Sequence, residues 1–413
     1  MRSRYWTAHA FFVYFLLLLL LSWEGHAQTS QPLWQPATEP AGVAAKGTTR
    51  WFTLDTAQLA TRLAPAPLET RPADAVTVEL PFPDGTLHRF ALTQVPVLAP
   101  TLAARYPQIR TYAGRSLDNL ATMVRLETSP AGLHAQVLTP TGPLSVLADP
   151  RAANRYEVRT DTPVDFTCQA LPVPGRAQGS LGGTAPVPPA PYGSQLRTLR
   201  LALAATGEYT QNFGGGTVAG TLASMATLVN SLNAVYERDL AVRLQLVANN
   251  DLLVFTDGTT DPYDNSSANT MLNANQTVVN SAIGVANYDL GHVLGYLSGG
   301  YSGVACVGVV CSANLAASRA STGSSATYMA TVVTHEIGHQ LGSGHTFSSD
   351  QGNCSGGNRD GNMAFEPRAG NTIMSYDGRC TPDNVGSILA RPRTTACGSW
   401  MRTAPNTFRR CGR

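Results

Sequence analysis

The sequence has few charged residues and almost no charge imbalance. Of its 413 residues, 29 are Lys or Arg and 27 are Asp or Glu, which gives a formal net charge of +2. A nucleic-acid-binding chain needs a concentrated basic face, so we expect no nucleic-acid partner. Because 43% of the residues are hydrophobic and only 14% are charged, disorder throughout the chain is excluded. The 38 glycines follow no three-residue period, which excludes a collagen-like chain.

Long hydrophobic runs are missing after the first 27 residues. The opening segment has Arg2 and Arg4, then an apolar run over 10–22, then small residues at the positions that a signal peptidase inspects. This run is too short to cross the roughly 30 Å of hydrocarbon in a bilayer, and a lipid-facing anchor is the alternative. We therefore predict a signal peptide over 1–27, no stable membrane anchor, and a secreted protein, extracellular or in transit through a periplasm.

Proline and glycine divide the rest of the chain. Residues 172–196 are so rich in both that neither a helix nor a sheet interior can form, which predicts a linker. Before it, 28–171 contains short segments with period-two alternation and predicts a β-rich unit. After it, 197–384 alternates strand-like and helix-like segments, which predicts α/β layering. The basic tail, 385–413, has six Arg, no acidic residue and little periodicity. The predicted strands of the second unit are 199–204, 242–247 and 304–310, and its predicted helices are 218–236 and 268–282.

The segment from His335 to His345 has metal-binding side chains at a defined spacing. His335 and His339 are four residues apart, so on a helix both imidazoles lie on one face and can bind one Zn²⁺. Gly342 is where this helix should end, because glycine takes a positive φ without a Cβ clash. The chain then turns and His345 returns as a third ligand. Three protein ligands leave a position for water, which is typical of a catalytic zinc site.

Glu336 lies beside these ligands in the sequence. Its carboxylate can take a proton from the zinc-bound water and pass it to the leaving amine, while zinc polarises the scissile carbonyl. The alternative is a helix with solvated histidines, which the glycine at the bend and the third histidine disfavour. One catalytic Zn²⁺ is the expected cofactor. Calcium is unsupported, because the acidic residues that crowd one loop lack EF-hand spacing. Those residues are Asp251, Asp257, Asp261 and Asp264.

From His335 to His345 the chain resembles the metzincin zinc peptidases, whose extended motif it matches at every defining position. Over about residues 197–384 it is most similar to bacterial members of the adamalysin, or reprolysin, family. The resemblance implies an α/β (α+β) catalytic domain with a twisted mixed sheet, an active-site helix and a cleft under an edge strand. It also implies a protein or peptide substrate, which would lie along that edge as an added strand.

A second element of the family pattern is a tight turn that places a methionine beneath the metal. Residues 371–376 look like this Met-turn, with Met374 supporting the site from below, and plain core packing is the alternative. Tyr376 lies two residues after the methionine. In some metzincins a tyrosine there stabilises the transition state, whereas adamalysins usually lack it. Catalytic assistance and packing therefore both stay open for Tyr376.

Family likeness also implies that residues 28–171 form a propeptide that keeps the enzyme latent. Cys168 is the one cysteine before the linker, and its thiolate is a good zinc ligand for the fourth position. The flanking sequence differs from the family's usual switch. A buried thiol, or a pair with a downstream cysteine, is the alternative for Cys168.

The chain has seven cysteines, and export would place them where disulfides form. An odd number leaves at least one outside such pairs. Cys354 and Cys380 bracket the loop from the third histidine to just past the Met-turn, and we favour a disulfide between them that ties this loop down. Cys306 and Cys311 either close a local loop or pair with the two cysteines of the tail.

These observations predict a secreted zinc-dependent metalloendopeptidase that is synthesised as a latent proenzyme. His335, His339 and His345 bind the zinc ion, and Glu336 activates the zinc-bound water for hydrolysis of the peptide bond. The alternative is a catalytically silent exported binding or adhesion protein on a metalloprotease scaffold. The atypical tail favours that alternative, and the intact Glu336 argues against it.

Overall fold

A computed structural model describes most of the chain between Pro32 and Val385. The predicted signal peptide, nearly all of the predicted linker and the tail beyond Val385 lie outside the described residues. All described helices and strands belong to one compact unit, Trp34–Arg413, and the unit Met1–Leu33 has two described residues. The described residues are 32–40, 49–161, 167–171, 195–297, 302–317, 319–323, 326–376 and 378–385.

The N-terminal part forms a nine-stranded antiparallel sheet, as the period-two alternation predicts. Its turns have the residues that they need: Asp84 accepts a hydrogen bond from the Thr86 amide at 2.9 Å, and Gly85 between them has φ of +94°. The spatial order is β1-β2-β9-β8-β7-β6-β5-β4-β3. The strands are β1 Trp34–Ala37, β2 Thr49–Leu54, β3 Val76–Pro81, β4 Leu87–Gln94, β5 Arg110–Ser116, β6 Met123–Ser129, β7 Gly132–Thr139, β8 Gly142–Ala148 and β9 Arg155–Thr160, and two short helices are α1 Thr56–Leu63 and α2 Pro100–Arg105.

The second part is mixed α/β, as predicted, around a six-stranded sheet of order β10-β14-β15-β13-β11-β12. Pairing is parallel except between β14 and β15. The strands are β10 Thr167–Leu171, β11 Arg197–Ala205, β12 Val242–Leu246, β13 Leu290–Gly295, β14 Ser302–Cys306 and β15 Arg319–Thr322, and the helices are α3 Gly207–Phe213, α4 Val218–Leu240, α5 Ala268–Ile283 and α6 Ala326–Leu341.

The predicted strand over 304–310 is only half right. Strand β14 ends at Cys306, and the chain turns at Gly308, whose φ is +68°. The amides of Gly308 and Val309 donate to carbonyls at the end of α6, at 2.8 and 3.0 Å. The apolar residues Val309 and Val310 are buried in a turn against this helix rather than in a strand. A short apolar run alone cannot distinguish the two cases.

Helix α4 lies at the centre of the second part. It is long and apolar enough to cross a membrane, but 72% of its most apolar window is buried within the protein, as expected for a core helix. The Thr217 hydroxyl caps its N-terminus, and Ala241 ends it with a φ of +51°. Near its end, the Tyr236 hydroxyl donates to the Thr334 carbonyl of α6. This bond fixes α6 against the core.

Segments of the β-rich region pair with both edges of the second sheet. Strand β10, which the sequence analysis assigned to the β-rich unit, lies parallel to β14 at one edge. At the other edge Leu98 forms a parallel bridge with Leu246 of β12. The two regions that the sequence separates with a linker therefore share one sheet.

Glu127 on β6 has a buried carboxyl at the junction of these two regions. It accepts a hydrogen bond from the Thr227 hydroxyl of α4 at 2.7 Å. Burial raises the pKa of Glu127 from 4.5 to about 7. The folded protein therefore retains a proton that the unfolded chain loses, and its stability falls as pH rises between these two values.

We expect Glu127→Gln to remove the pH-dependent contribution of the Glu127 carboxyl to the stability of the protein. Between pH 4.5 and 7.5 the free energy of unfolding of the unmodified chain should fall by about 3 kcal/mol relative to that of the variant. Urea unfolding at several pH values measures the difference. Glu39 is exposed, so Glu39→Gln should leave the pH dependence of the free energy of unfolding as it is in the unmodified chain. The same pH dependence in Glu127→Gln and in the unmodified chain would contradict the expectation.

Candidate metal centre

Helix α6 positions two of the three histidines. Val332, Val333 and Ile337 are fully buried and anchor the helix in the core. On the same helix the rings of His335 and His339 lie one turn apart, with centroids separated by 4.8 Å. The helix ends at Leu341, and Gly342 has φ of +107°, which turns the chain back toward the site.

All three imidazoles are oriented by backbone carbonyls. The Nδ1 atoms of His335, His339 and His345 lie 2.7, 2.8 and 2.6 Å from the carbonyl oxygens of Ile373, Ser343 and Asn358. A carbonyl can only accept, so each Nδ1 donates and each Nε2 keeps its lone pair. Such a partner on the second ring nitrogen is the usual arrangement around metal-bound histidines.

Burial favours the neutral form of two of these imidazoles. It lowers the pKa of His335 well below its ordinary value, with the neighbouring histidines as a further cause. It lowers the pKa of His345 to about 4. Neutral imidazole is the form that binds metal, so His335 and His345 are in their metal-binding form at neutral pH.

Four donor atoms meet in this cluster. The ligand atoms of Cys168, His335, His339 and His345 all lie within 4.8 Å of one another. The Nε2 atoms of His335 and His345 are 3.2 Å apart, and the Cys168 Sγ is 3.3 and 3.6 Å from the Nε2 atoms of His339 and His345. A tetrahedral zinc site has ligand-to-ligand separations of roughly 3.3–3.6 Å, given bonds of about 2.0–2.3 Å. The donors therefore fit zinc in type and spacing.

Cys168 reaches the cluster from the edge strand β10. It lies opposite Gly303 of β14 in the parallel register. Burial, and then the charge of Glu336, raise the pKa of the Cys168 thiol well above its ordinary value. A bound zinc ion would reverse this, because a coordinating thiol loses its proton.

Glu336 is fully buried beside the cluster, and its charge acts on the Cys168 thiol. Its carboxylate packs against Gly303, where a Cβ would overlap the Glu336 Oε1. Gly303 is therefore a residue of the site that sequence reasoning missed. Only its position opposite α6 in the folded protein reveals it.

Residues of the predicted Met-turn contact the histidines: the Ile373 carbonyl is bonded to His335, and the Tyr376 ring packs on His345. Met374 is fully buried in the main core, and its carbonyl accepts from the Thr346 amide at 3.0 Å, next to His345. The Tyr376 ring lies 4.7 Å from the His345 ring, and its hydroxyl donates to the Cys168 carbonyl at 3.4 Å. The Arg379 guanidinium, which sequence reasoning missed, lies 5.3 Å from the centre of the Tyr376 ring.

Two further features hold the loop between the third histidine and the Met-turn. The disulfide Cys354–Cys380 forms, which confirms the pairing that the sequence favours. Glu366, missed from the sequence, accepts from the Thr346 hydroxyl at 2.5 Å and from the amides of Asn371 and Thr372 at 2.8 and 3.2 Å. This carboxylate thus connects the residue after His345 with the start of the Met-turn.

The acidic loop residues do not join the cluster. Asp251 pairs with Arg105 at 2.8 Å, and Asp257, Asp261 and Asp264 each accept a hydrogen bond from a backbone amide two residues ahead. Cys311 takes part in a disulfide. Among the described residues, the cysteine and three histidines are the one group with the spacing to hold a metal ion.

Comparison with known proteins gives one family match and two similar solved structures. The model of the M12B reprolysin-like metallopeptidases matches residues 195–404. Among solved structures, metalloproteinase-II from Bacteroides fragilis is similar with 11% identity and a TM-score of 0.44, over 84% of this chain and 94% of that one. A structure of a chaperone-substrate complex is similar with 15% identity and a TM-score of 0.29, over 68% of this chain and 40% of that one. No curated protein matches the chain.

Proposed function

Because the chain belongs to the reprolysin-like metallopeptidases of family M12B, we propose that it is a secreted zinc-dependent endopeptidase made as a latent proenzyme. The observation that carries the proposal is the convergence of three imidazoles, each tied by its Nδ1 to a backbone carbonyl. Glu336 lies next to them on the same helix. This set combines a metal site with a base, which is the combination that peptide hydrolysis needs.

His335, His339 and His345 would hold the zinc ion through Nε2. When bound, zinc supplies a Lewis acid that polarises the scissile carbonyl and lowers the pKa of water. The backbone carbonyls on the Nδ1 side keep the three rings in place, so the ligand set is organised before the metal arrives.

Glu336 would act as general base and then as general acid. Its carboxylate packs against Gly303, which lies opposite Cys168, so it would lie near a water that replaces the Cys168 thiol in the fourth position. It would accept a proton from the attacking water and deliver it to the leaving nitrogen of the peptide bond. The dry surroundings of Glu336 strengthen its interactions with these groups.

Latency would come from Cys168 and strand β10. The thiol occupies the fourth position of the cluster, and β10 pairs with β14 along the edge where a substrate strand would lie. Residues 28–171 are in this proposal the propeptide, 172–196 the linker that an activating protease cuts, and 197–384 the catalytic domain.

Export rests on the N-terminal segment 1–27, which is built like a signal peptide. The buried Cys354–Cys380 disulfide supports it, because such bonds persist in oxidising compartments. The protein or peptide substrate would meet the enzyme outside the cytoplasm.

The proposal is tested by cleavage of a quenched-peptide library after the linker has been cut, with and without a zinc chelator. We expect cleavage that the chelator abolishes and added zinc restores. His339→Ala should lose both zinc and activity, because two histidines do not complete the ligand set. A folded, zinc-loaded sample that cuts no peptide would reject the enzyme and favour the binding-protein alternative. Full zinc occupancy in His339→Ala would reject the ligand assignment.

A further inference from the structure

The β-rich sheet, β1–β9, covers a helix that the catalytic region would otherwise expose. Helix α4 is buried along most of its length, and two of its polar side chains bond to β6. The Thr227 hydroxyl donates to Glu127 at 2.7 Å, and the Asn230 amide donates to the Leu126 carbonyl at 3.0 Å. These polar groups find partners on β6, so the β-rich sheet completes the surroundings of α4.

The loop between β4 and β5 completes the core of the catalytic region. Its residues Val97, Leu98, Leu102 and Ile109 are buried in the same hydrophobic cluster as α4, α6 and Met374. The loop also closes the edge of the second sheet: the Ala99 amide donates to the Leu246 carbonyl at 2.9 Å, and the Leu246 amide to the Val97 carbonyl at 2.8 Å. Without this loop, apolar surface and a strand edge would face water.

Partly buried ion pairs cross the same boundary. Glu237 of α4 pairs with Arg125 of β6 at 2.6 Å and with Arg243 of β12 at 2.6 Å. Arg243 also pairs with Glu69 of the β-rich region. Separating the regions would break the pairs that Glu237 and Arg243 form with Arg125 and Glu69, which is costly for groups removed from water.

Strand β10 differs from the β-rich sheet in how it is held against the catalytic region. It pairs with β14 over the short register from Thr167 to Leu171 and leads directly into the linker. Once the linker is cut, β10 is a chain end, and chain ends open more readily than segments held on both sides.

We propose that the β-rich sheet is a permanent partner of the catalytic region, and that linker cleavage releases only strand β10. The mature enzyme is then a non-covalent complex of two fragments, with strands β1–β9 retained as a structural subunit. Latency rests on β10 alone. The part of the proposal that concerns latency depends on the proposed peptidase function, whereas retention of the sheet does not.

The experiment uses the full chain with a recognition sequence for a specific protease placed in the linker. After cutting, size-exclusion chromatography and mass spectrometry show whether the fragments co-elute. Alkylation of Cys168 by iodoacetamide reports the release of β10. We expect both fragments at the elution volume of the uncut chain, and an alkylation rate at least roughly tenfold above that of the uncut chain.

Leu102→Asp and Leu120→Asp are matched variants, because Leu102 is fully buried in the shared core and Leu120 is 71% exposed. After cutting, Leu102→Asp should separate into its fragments and Leu120→Asp should not. If Leu102→Asp does not fold, the elution volume of the unmodified cut chain still shows whether the two fragments stay associated. Fragments of the unmodified chain that separate would overturn the proposal, and co-elution with an unreactive Cys168 would overturn the release of β10. Co-elution without peptide cleavage would reject the peptidase function and leave the retained subunit in place.

Discussion

Replacing Glu336 with alanine should abolish peptide cleavage without removing zinc. The three histidines that would bind the metal are held by their own carbonyl partners and do not depend on the Glu336 carboxylate. A positioned general acid–base contributes about 10²–10⁴-fold to the rate, so kcat should fall by that range. Peptide-cleavage kinetics on the linker-cut chain, together with metal analysis of the same sample, measure both properties.

The isosteric Glu336→Gln distinguishes the loss of the proton-accepting carboxylate from the loss of side-chain packing. It keeps the contact with Gly303 but cannot accept a proton, so it should lose activity as Glu336→Ala does. A kcat close to that of the unmodified enzyme in either zinc-loaded variant would contradict the assigned role of Glu336.

Tyr376→Phe tests whether the Tyr376 hydroxyl, which lies in the same site as Glu336, takes part in catalysis. If the phenol only packs against His345, kcat should stay near that of the unmodified enzyme. A fall of kcat of about tenfold at unchanged KM would assign the Tyr376 hydroxyl to the transition state.

Replacing Cys168 with serine should release latency in the uncut chain. A serine hydroxyl is a much weaker zinc ligand than a thiolate, so the fourth position becomes open to water. The pairing of β10 with β14 remains, so we expect partial activation, at least roughly tenfold over the uncut unmodified chain. Peptide cleavage by the uncut variant measures it, and its zinc content should not change.

Cys306→Ser is the matched control, because Cys306 lies on the neighbouring strand β14 and outside the donor cluster. It should stay latent. If Cys168→Ser also stays latent, the main-chain pairing of β10 rather than the thiol blocks the site, and the assignment of Cys168 as latency ligand is wrong.

In the proposed mechanism the Cys168 thiol and β10 would block the site, and the β-rich sheet would support the core. Because β10 is short and the surface between the β-rich sheet and the catalytic region is extensive, we expect a single cut in the linker to release β10 and leave the sheet in place. The Glu127 contact with α4 lies on the supporting surface, so its ionisation bears on stability rather than on chemistry.

Features of the site that depend only on neighbouring residues can be predicted from the sequence. The four-residue spacing of His335 and His339 places both rings on one face of any helix, and the glycine at 342 allows the bend after Leu341. Helix α4 was predictable for the same reason, since its apolar periodicity requires one structure over many residues. The sequence favours the Cys354–Cys380 disulfide because the two cysteines bracket the loop from His345 to just past the Met-turn.

Contacts between distant segments were decided only by the tertiary structure. Nothing near Gly303 or Glu366 in the sequence indicates that the first packs against Glu336 and the second connects His345's loop to the Met-turn. Strand β10 lies within the predicted β-rich unit, yet it pairs with β14, far along the chain. Strand pairing depends on which edge is free and which faces need burial, and these are properties of the assembled core. The sequence therefore determined the chemistry of the site, and the tertiary structure determined what surrounds it.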